Sequence, residues 1–130
     1  MDINRLEDIN ETHGRNVGDE ILVELADRMI DIFRTSDVIS RYGGDEFMIL
    51  LDHRSEGKKE SAEYVGRKII EATSRPFLLA SGEMVKVDVS VGIAVYPSEG
   101  YDSMSILSIA DALLCSAKSQ APNSICFYLD

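Results

Sequence analysis

The chain has 130 residues, 45% of them hydrophobic, and carries 13 basic against 23 acidic side chains for a net charge of -10. That length buries a core without disulfide or metal staples, and the acidic balance argues against a broad nucleic-acid or anionic-membrane surface, while still allowing a small nucleotide held through a divalent cation. No apolar run approaches the roughly 20 residues that span a bilayer, no signal-peptide pattern opens the chain, and disorder is expected only at edges such as "HRSEGKK", His53 to Lys59.

The opening "MDINRLEDINETHG" sets Asp2 beside apolar Ile3 with no full strand before them, so it reads as the end of a strand that is very short or largely missing upstream. From Val17, "VGDEILVELADRMIDIF" places Leu22, Leu25, Met29 and Phe33 on one helical face, with Asp19 and Glu20 in the first turn where the dipole favours acids. "DVISRYGGDEFMILLD" predicts two short strands, Val38 to Tyr42 and Phe47 to Leu51, around a tight Gly-Gly-Asp-Glu loop.

A second helix is expected from about Lys59 to Thr73, with Ala62, Val65, Ile69 and Ile70 inward and Arg75-Pro76 ending it. Two strands follow around Ser81-Gly82-Glu83. In the latter, Val85, Val87, Val89 and Val91 alternate with Lys86, Asp88 and Ser90, the pattern of one buried face. A third helix, Met104 to Lys118, and a last strand in "SICFYLD" complete the chain. Cys115 and Cys126 lie in these apolar segments without metal-ligand spacing and read as buried reduced thiols, which suits the cytoplasm. No repeat or linker divides the chain, so residues 1–130 read as one domain. Hairpins alternating with single helices define the fold class as α+β: a sandwich with a central, mostly antiparallel, mixed sheet flanked by helices.

Gly43 and Gly44 permit positive φ and close approach of a phosphate to backbone amides, and Asp45 and Glu46 behind them offer oxygen to a hard cation. The competing reading is a plain hairpin turn. Asp2 is either a second metal acid or an exposed terminal residue. Asn10 and Asp19 have the donors and acceptors to read a guanine edge, or serve as a cap and a dipole partner. Lys118, at a helix C-terminus, reaches phosphates or complements the dipole. Tyr42 and Phe47 read as packing residues, and His13 and His53 have no partner spacing.

Together "DIN", "DINETHGRNVGDE", "RYGGDEF", "VDVSVGIAVYP" and "ADALLCSAK" resemble, in order and spacing, the GGDEF domain of diguanylate cyclases, which condense two GTP into cyclic di-GMP. The resemblance implies a polymerase-palm-like fold similar to adenylyl cyclases. It implies Mg2+ (or Mn2+) on Asp2, Asp45 and the Ile3 carbonyl, with Gly43 and Gly44 along the triphosphate. Asn10 and Asp19 would read guanine, Lys118 would touch the terminal phosphates, and Glu46 would serve the metal or the attacking 3'-hydroxyl. Two domains would meet as a homodimer, within a larger multidomain signalling protein and with no DNA, RNA or membrane contact. "RTSD" looks like the family's inhibitory cyclic di-GMP site, with Arg34 forking onto phosphate or guanine and Asp37 accepting from guanine.

Some positions depart from the family pattern. Ala121 and Pro122 stand where Lys-x-x-Gly-Arg-Asn has Gly and Arg, which removes a phosphate-binding cation. Leu6 and Glu7 replace an aromatic and a lysine, Asn4 replaces an acid, and Cys115 a tyrosine. These departures keep open an alternative, a weak or inactive module that binds GTP or cyclic di-GMP and regulates an attached domain.

Overall fold

The computed structural model describes residues 1–52, 58–96 and 102–129, so the expected disorder at His53 to Lys59 falls largely outside the described residues. The elements in order are β1 (Asp2–Ile3), α1 (Leu6–His13), α2 (Val17–Ile32), β2 (Val38–Arg41), β3 (Phe47–Leu50), α3 (Lys58–Ser74), β4 (Phe77–Leu78), β5 (Met84–Val85), β6 (Val89–Val95), α4 (Ser103–Lys118) and β7 (Ile125–Leu129). This is the α+β arrangement expected, with a mixed sheet and helices on both faces.

β1 pairs antiparallel with β6, and β6 pairs parallel with β7. The β2–β3 hairpin adjoins the other side of β1 through an Asp2–Glu46 bridge. Three backbone bonds make that seam: the Met1 amino group donates to Phe47 O at 2.9 Å, Phe47 N to Met1 O at 2.8 Å and Ile3 N to Asp45 O at 3.0 Å. β1 therefore joins the hairpin to the three-stranded sheet.

Val89 and Val91 are buried with Ile21, Leu25, Met29 and Phe77 in the main core. The opposite face of β6 carries α4 so closely that a Cβ on Gly92 would fall 2.5 Å from both Ala110 O and Leu114 N, which only glycine avoids. The alternating valines are all buried as the sequence predicts, but Ser90 is buried too, because α4 covers the second face; its hydroxyl donates to Asn4 Oδ1 at 2.9 Å. The ladder is also interrupted between Val85 and Val89, where β5 has left its partner β4 and β6 has not yet met β1.

Helix α1 was not expected, since its eight residues bury none of their own side chains fully. The chain enters it through Arg5 in the left-handed region, at φ 54°. Cys115 is exposed and Cys126 half-buried, against the expectation of two buried thiols: Cys115 faces outward on α4, and Cys126 Sγ accepts from Gln120 Nε2 at 3.3 Å. Tyr42 is exposed rather than packed, because β2 ends at Arg41, whereas Phe47 is in the core. Phe33 lies one residue beyond α2, as its C-cap, and is only half-buried.

Arg28 is a buried charge with a full set of partners. Its guanidinium donates to the carbonyls of Ala72 at 2.8 Å, Arg75 at 2.7 Å and Pro76 at 2.9 Å, and to Glu24 at 3.0 Å, and lies 3.8 Å over the Phe77 ring. It thus satisfies carbonyls that the end of α3 leaves without partners.

Candidate active site

The seam between β1 and β3 brings Asp2 and Asp45 together, because Ile3 N is bonded to the Asp45 carbonyl. The Asp2 carboxylate is buried, and Lys118 at the end of α4 reaches it in an ion pair. Burial is the larger influence on Asp2 and raises its pKa above the usual 3.8; the Lys118 ammonium pulls it down, while the charge on Asp45 pushes it further up. Lys118 is held more basic than usual by its bond to Asp2, against a smaller effect of burial, and feels Asp45 and Glu46 as well. Four of the expected site residues, from two elements and one loop, thus share one electrostatic cluster.

This cluster opens into a cleft of about 480 Å³ lined by Asp2, Ile3, Asn4, Arg5, Asp45, Asp88, Lys118, Gln120 and Pro122. Asp88 sits on its wall, bonded at Oδ1 by Asn123 Nδ2 at 3.2 Å, while Arg5 approaches its Oδ2 only to 3.9 Å. Asn123 also accepts from Val89 N at 3.1 Å, so the α4–β7 turn is tied to the start of β6.

Gly43 and Gly44 do not take the positive φ that the sequence allows them; the described glycines at positive φ are Gly14 and Gly82. Nor does the fold crowd them: a Cβ on Gly43 would meet only Glu46 Cβ, at 3.8 Å, and one on Gly44 nothing within 4 Å. Neither glycine is required by backbone conformation or packing. Arg41, which the sequence reading passed over, donates from Nε to Gly43 O at 3.2 Å and from Nη2 to Gly44 O at 2.7 Å, fixing the loop's carbonyls. Its position two residues before Gly43 was the available signal.

Asn10 and Asp19 are not part of that cleft. Asn10 caps across helices: its Oδ1 accepts from Gly18 N at 2.6 Å, and a Cβ on Gly18 would collide with the Asn10 amide at 2.5 Å. Asp19, next in the chain, is exposed and lines a separate groove of about 490 Å³ with Leu22, Val23, Ala26, Ile30, Ile39, Arg41 and Phe47. Arg34 and Asp37 form a local turn in which the Arg34 N–H donates to Asp37 Oδ2 at 2.9 Å and Asp37 N to Arg34 O at 3.0 Å; Arg34 itself is exposed. His13 faces Glu83 at 3.4 Å, a contact between α1 and the β4–β5 turn remote in sequence.

The end of β1 and the β2–β3 loop thus set two acids side by side next to the two glycines, with the Lys118 ammonium engaging one of them. The family model "Diguanylate cyclase, GGDEF domain" matches residues 1–124, and the chain belongs to that family. It is 36% identical to the diguanylate cyclase DosC of Escherichia coli K12 over 96% of this chain and 26% of the relative. It is 34% identical to the bifunctional diguanylate cyclase/cyclic di-GMP phosphodiesterase MucR of Pseudomonas aeruginosa, over 98% of this chain and 18% of the relative. The chain thus spans a third or less of these curated relatives. Among solved structures, the GGDEF domain of TpbB from P. aeruginosa superposes with a TM-score of 0.87 at 33% identity, covering 97% of this chain and 77% of that one. The GGDEF domain of DgcB from Caulobacter crescentus, solved with cyclic di-GMP, gives 0.80 at 26% identity, covering 97% and 73%. No helix of the described residues is long and apolar enough to cross a membrane.

Proposed function

We propose that this chain is a diguanylate cyclase domain, a single domain of a larger bacterial signalling protein, that joins two GTP molecules into cyclic di-GMP in the cytoplasm. The observation that carries the reading is the pairing of Asp2 and Asp45 at one sheet seam below two glycines that neither conformation nor packing requires.

The donors suit a hard cation: two carboxylates and the Ile3 carbonyl are all oxygen. No group of three His, Cys, Asp or Glu side chains placed to hold a metal ion occurs among the described residues, so these donors would hold Mg2+ together with water and phosphate oxygens. When bound, Mg2+ (or Mn2+) stabilises charge on the phosphate oxygens during in-line displacement. Gly43 and Gly44 let the triphosphate lie against the loop that Arg41 fixes. Asn10 and Asp19, outside the cleft itself, would read the guanine, and Lys118 would serve the terminal phosphates. Glu46 supports either the metal or the 3'-hydroxyl. The hydroxyl oxygen of one GTP bonds to the α-phosphorus of the other and pyrophosphate leaves. The exchange occurs twice, so two domains must present their nucleotides antiparallel in a homodimer. Product binds back at Arg34 and Asp37 and inhibits.

The test is incubation with GTP and Mg2+, reading cyclic di-GMP by mass spectrometry, with Asp45→Ala as control. Product from the parent alone supports the reading; an Asp45→Ala protein of full activity overturns the assigned roles. Gly44→Ala is expected to melt within about 1 kcal/mol of the parent, since its methyl meets nothing, yet to lose at least about tenfold in GTP affinity. Unchanged affinity would return the glycines to the role of a plain turn. The second reading, a binding module without turnover, is favoured by one observation, the presence of Pro122 on the cleft wall where the family pattern has a cation. GTP binding without product, coupled to the activity of an attached domain, would establish it.

A further inference from the structure

The cleft holds a second cation that the family pattern does not supply. Arg5 lines it together with Asp2, Asp45, Lys118 and Pro122. Its backbone is left-handed at φ 54°, one of two non-glycine residues in that region among those described; the other, Asn123 at φ 58°, bonds the same Asp88. Non-glycine residues occupy this region at a cost, and such positions gather at functional sites.

The two cations of the cleft differ in commitment. Lys118 is engaged by the buried Asp2. Arg5 has a much looser hold: its side chain is 72% exposed and its guanidinium stands 3.9 Å from an Asp88 oxygen, while the other oxygen of Asp88 is taken by Asn123. An exposed pair at that distance contributes little and is easily exchanged for a better anion. A guanidinium presents a planar fork that matches two phosphate oxygens at once.

We propose that Arg5 is a phosphate-binding residue of this site, resting on Asp88 when the cleft is empty and turning to the β- and γ-phosphates of GTP. In this chain it takes over the work of the cation that Pro122 has displaced. The inference rests on the GTP-binding reading above and adds to it a residue and a portion of the nucleotide. It also makes a distinction that activity alone does not: Arg5 serves the terminal phosphates, so its removal weakens GTP far more than GMP, which has none.

The experiment is titration of the whole chain with GTP and with GMP in the presence of Mg2+, by calorimetry, for the parent, Arg5→Gly, Arg5→Ala and Arg5→Lys. Arg5→Gly keeps the left-handed backbone without strain and guards against a folding artefact. The expected result is a loss of about tenfold in GTP affinity in the Gly and Ala proteins, GMP affinity unchanged, and partial recovery with Lys. Equal GTP affinity in the parent and Arg5→Gly, or an equal loss for GTP and GMP, would overturn the role of Arg5 while leaving the GTP site intact. A parent that binds neither nucleotide would instead overturn the reading on which the inference stands.

Discussion

Replacing Arg28 by methionine is expected to destabilise the protein by about 3–5 kcal/mol, since three carbonyls lose their donor at about 1–3 kcal/mol each. For a chain of this size that corresponds to a fall in melting temperature of more than about 10 °C. Methionine retains much of the stem and can still lie against Phe77, so the loss isolates the hydrogen bonds to Ala72, Arg75 and Pro76. Those carbonyls sit at the end of α3 and just beyond it, where no helical N–H follows. Arg28→Lys is expected to recover only part of the loss, because an ammonium does not reproduce the fork that meets three oxygens. Thermal unfolding decides it: a methionine variant within 1 kcal/mol of the parent would mean that water replaces the guanidinium without cost.

The second large effect separates stability from activity. Asp2→Asn is expected to leave the metal-free protein as stable as the parent or more so at neutral pH, and to lower the proposed cyclase activity by about 10²-fold or more. The sign follows from the raised pKa of Asp2, set first by burial and increased by Asp45. Below about pH 3.8 the carboxyl is protonated in folded and unfolded chains alike and contributes no pH dependence. As pH rises from there through the raised folded value, the unfolded chain gives up its proton first, so ionisation of Asp2 progressively subtracts from stability. Asparagine avoids that loss, and the advantage of the variant grows across the same window. Melting curves at several pH values test the first half, and GTP turnover tests the second. A variant that is both less stable and fully active would remove Asp2 from the site.

Much of the fold was legible because its signals are local. The faces of α2 and α3, the hairpin around Gly43 and Gly44, and the alternating valines of Val85 to Val91 each follow from periodicity. Helix α1 escaped because Leu6 and Ile9 are too few, and too shallowly buried, to mark a face. The break between β5 and β6 escaped for another reason: an extended backbone keeps side chains alternating whether or not a neighbouring strand is present, so the pattern of valines reports burial, not pairing. Arg28 carries no local signal of its role, since the three carbonyls it bonds lie 44 to 48 residues away.

The candidate site was legible as a set of residues but not as a geometry. Asp2, Asp45 and Lys118 were named from separate motifs, and only the sheet seam and the exit of α4 bring them together. Asn10 shows the limit of local reasoning, since it caps α2 from α1, a role visible in neither helix alone. Arg5 was unreadable because its importance lies in a backbone conformation and in what its neighbour Asp88 already holds.

The seam through Met1, Asp2 and Ile3 has a consequence for observing this protein at work. Asp45 and the glycines ride on the hairpin, whereas Asp2 and Lys118 belong to the other side, and the alignment of the two rests on a few backbone hydrogen bonds. The amide protons of Ile3 and Phe47 lie in that join and are therefore natural gauges of it. Slow exchange with solvent at those two positions reports carboxylates held in register, and a ligand that slows them further tightens the two halves into one frame.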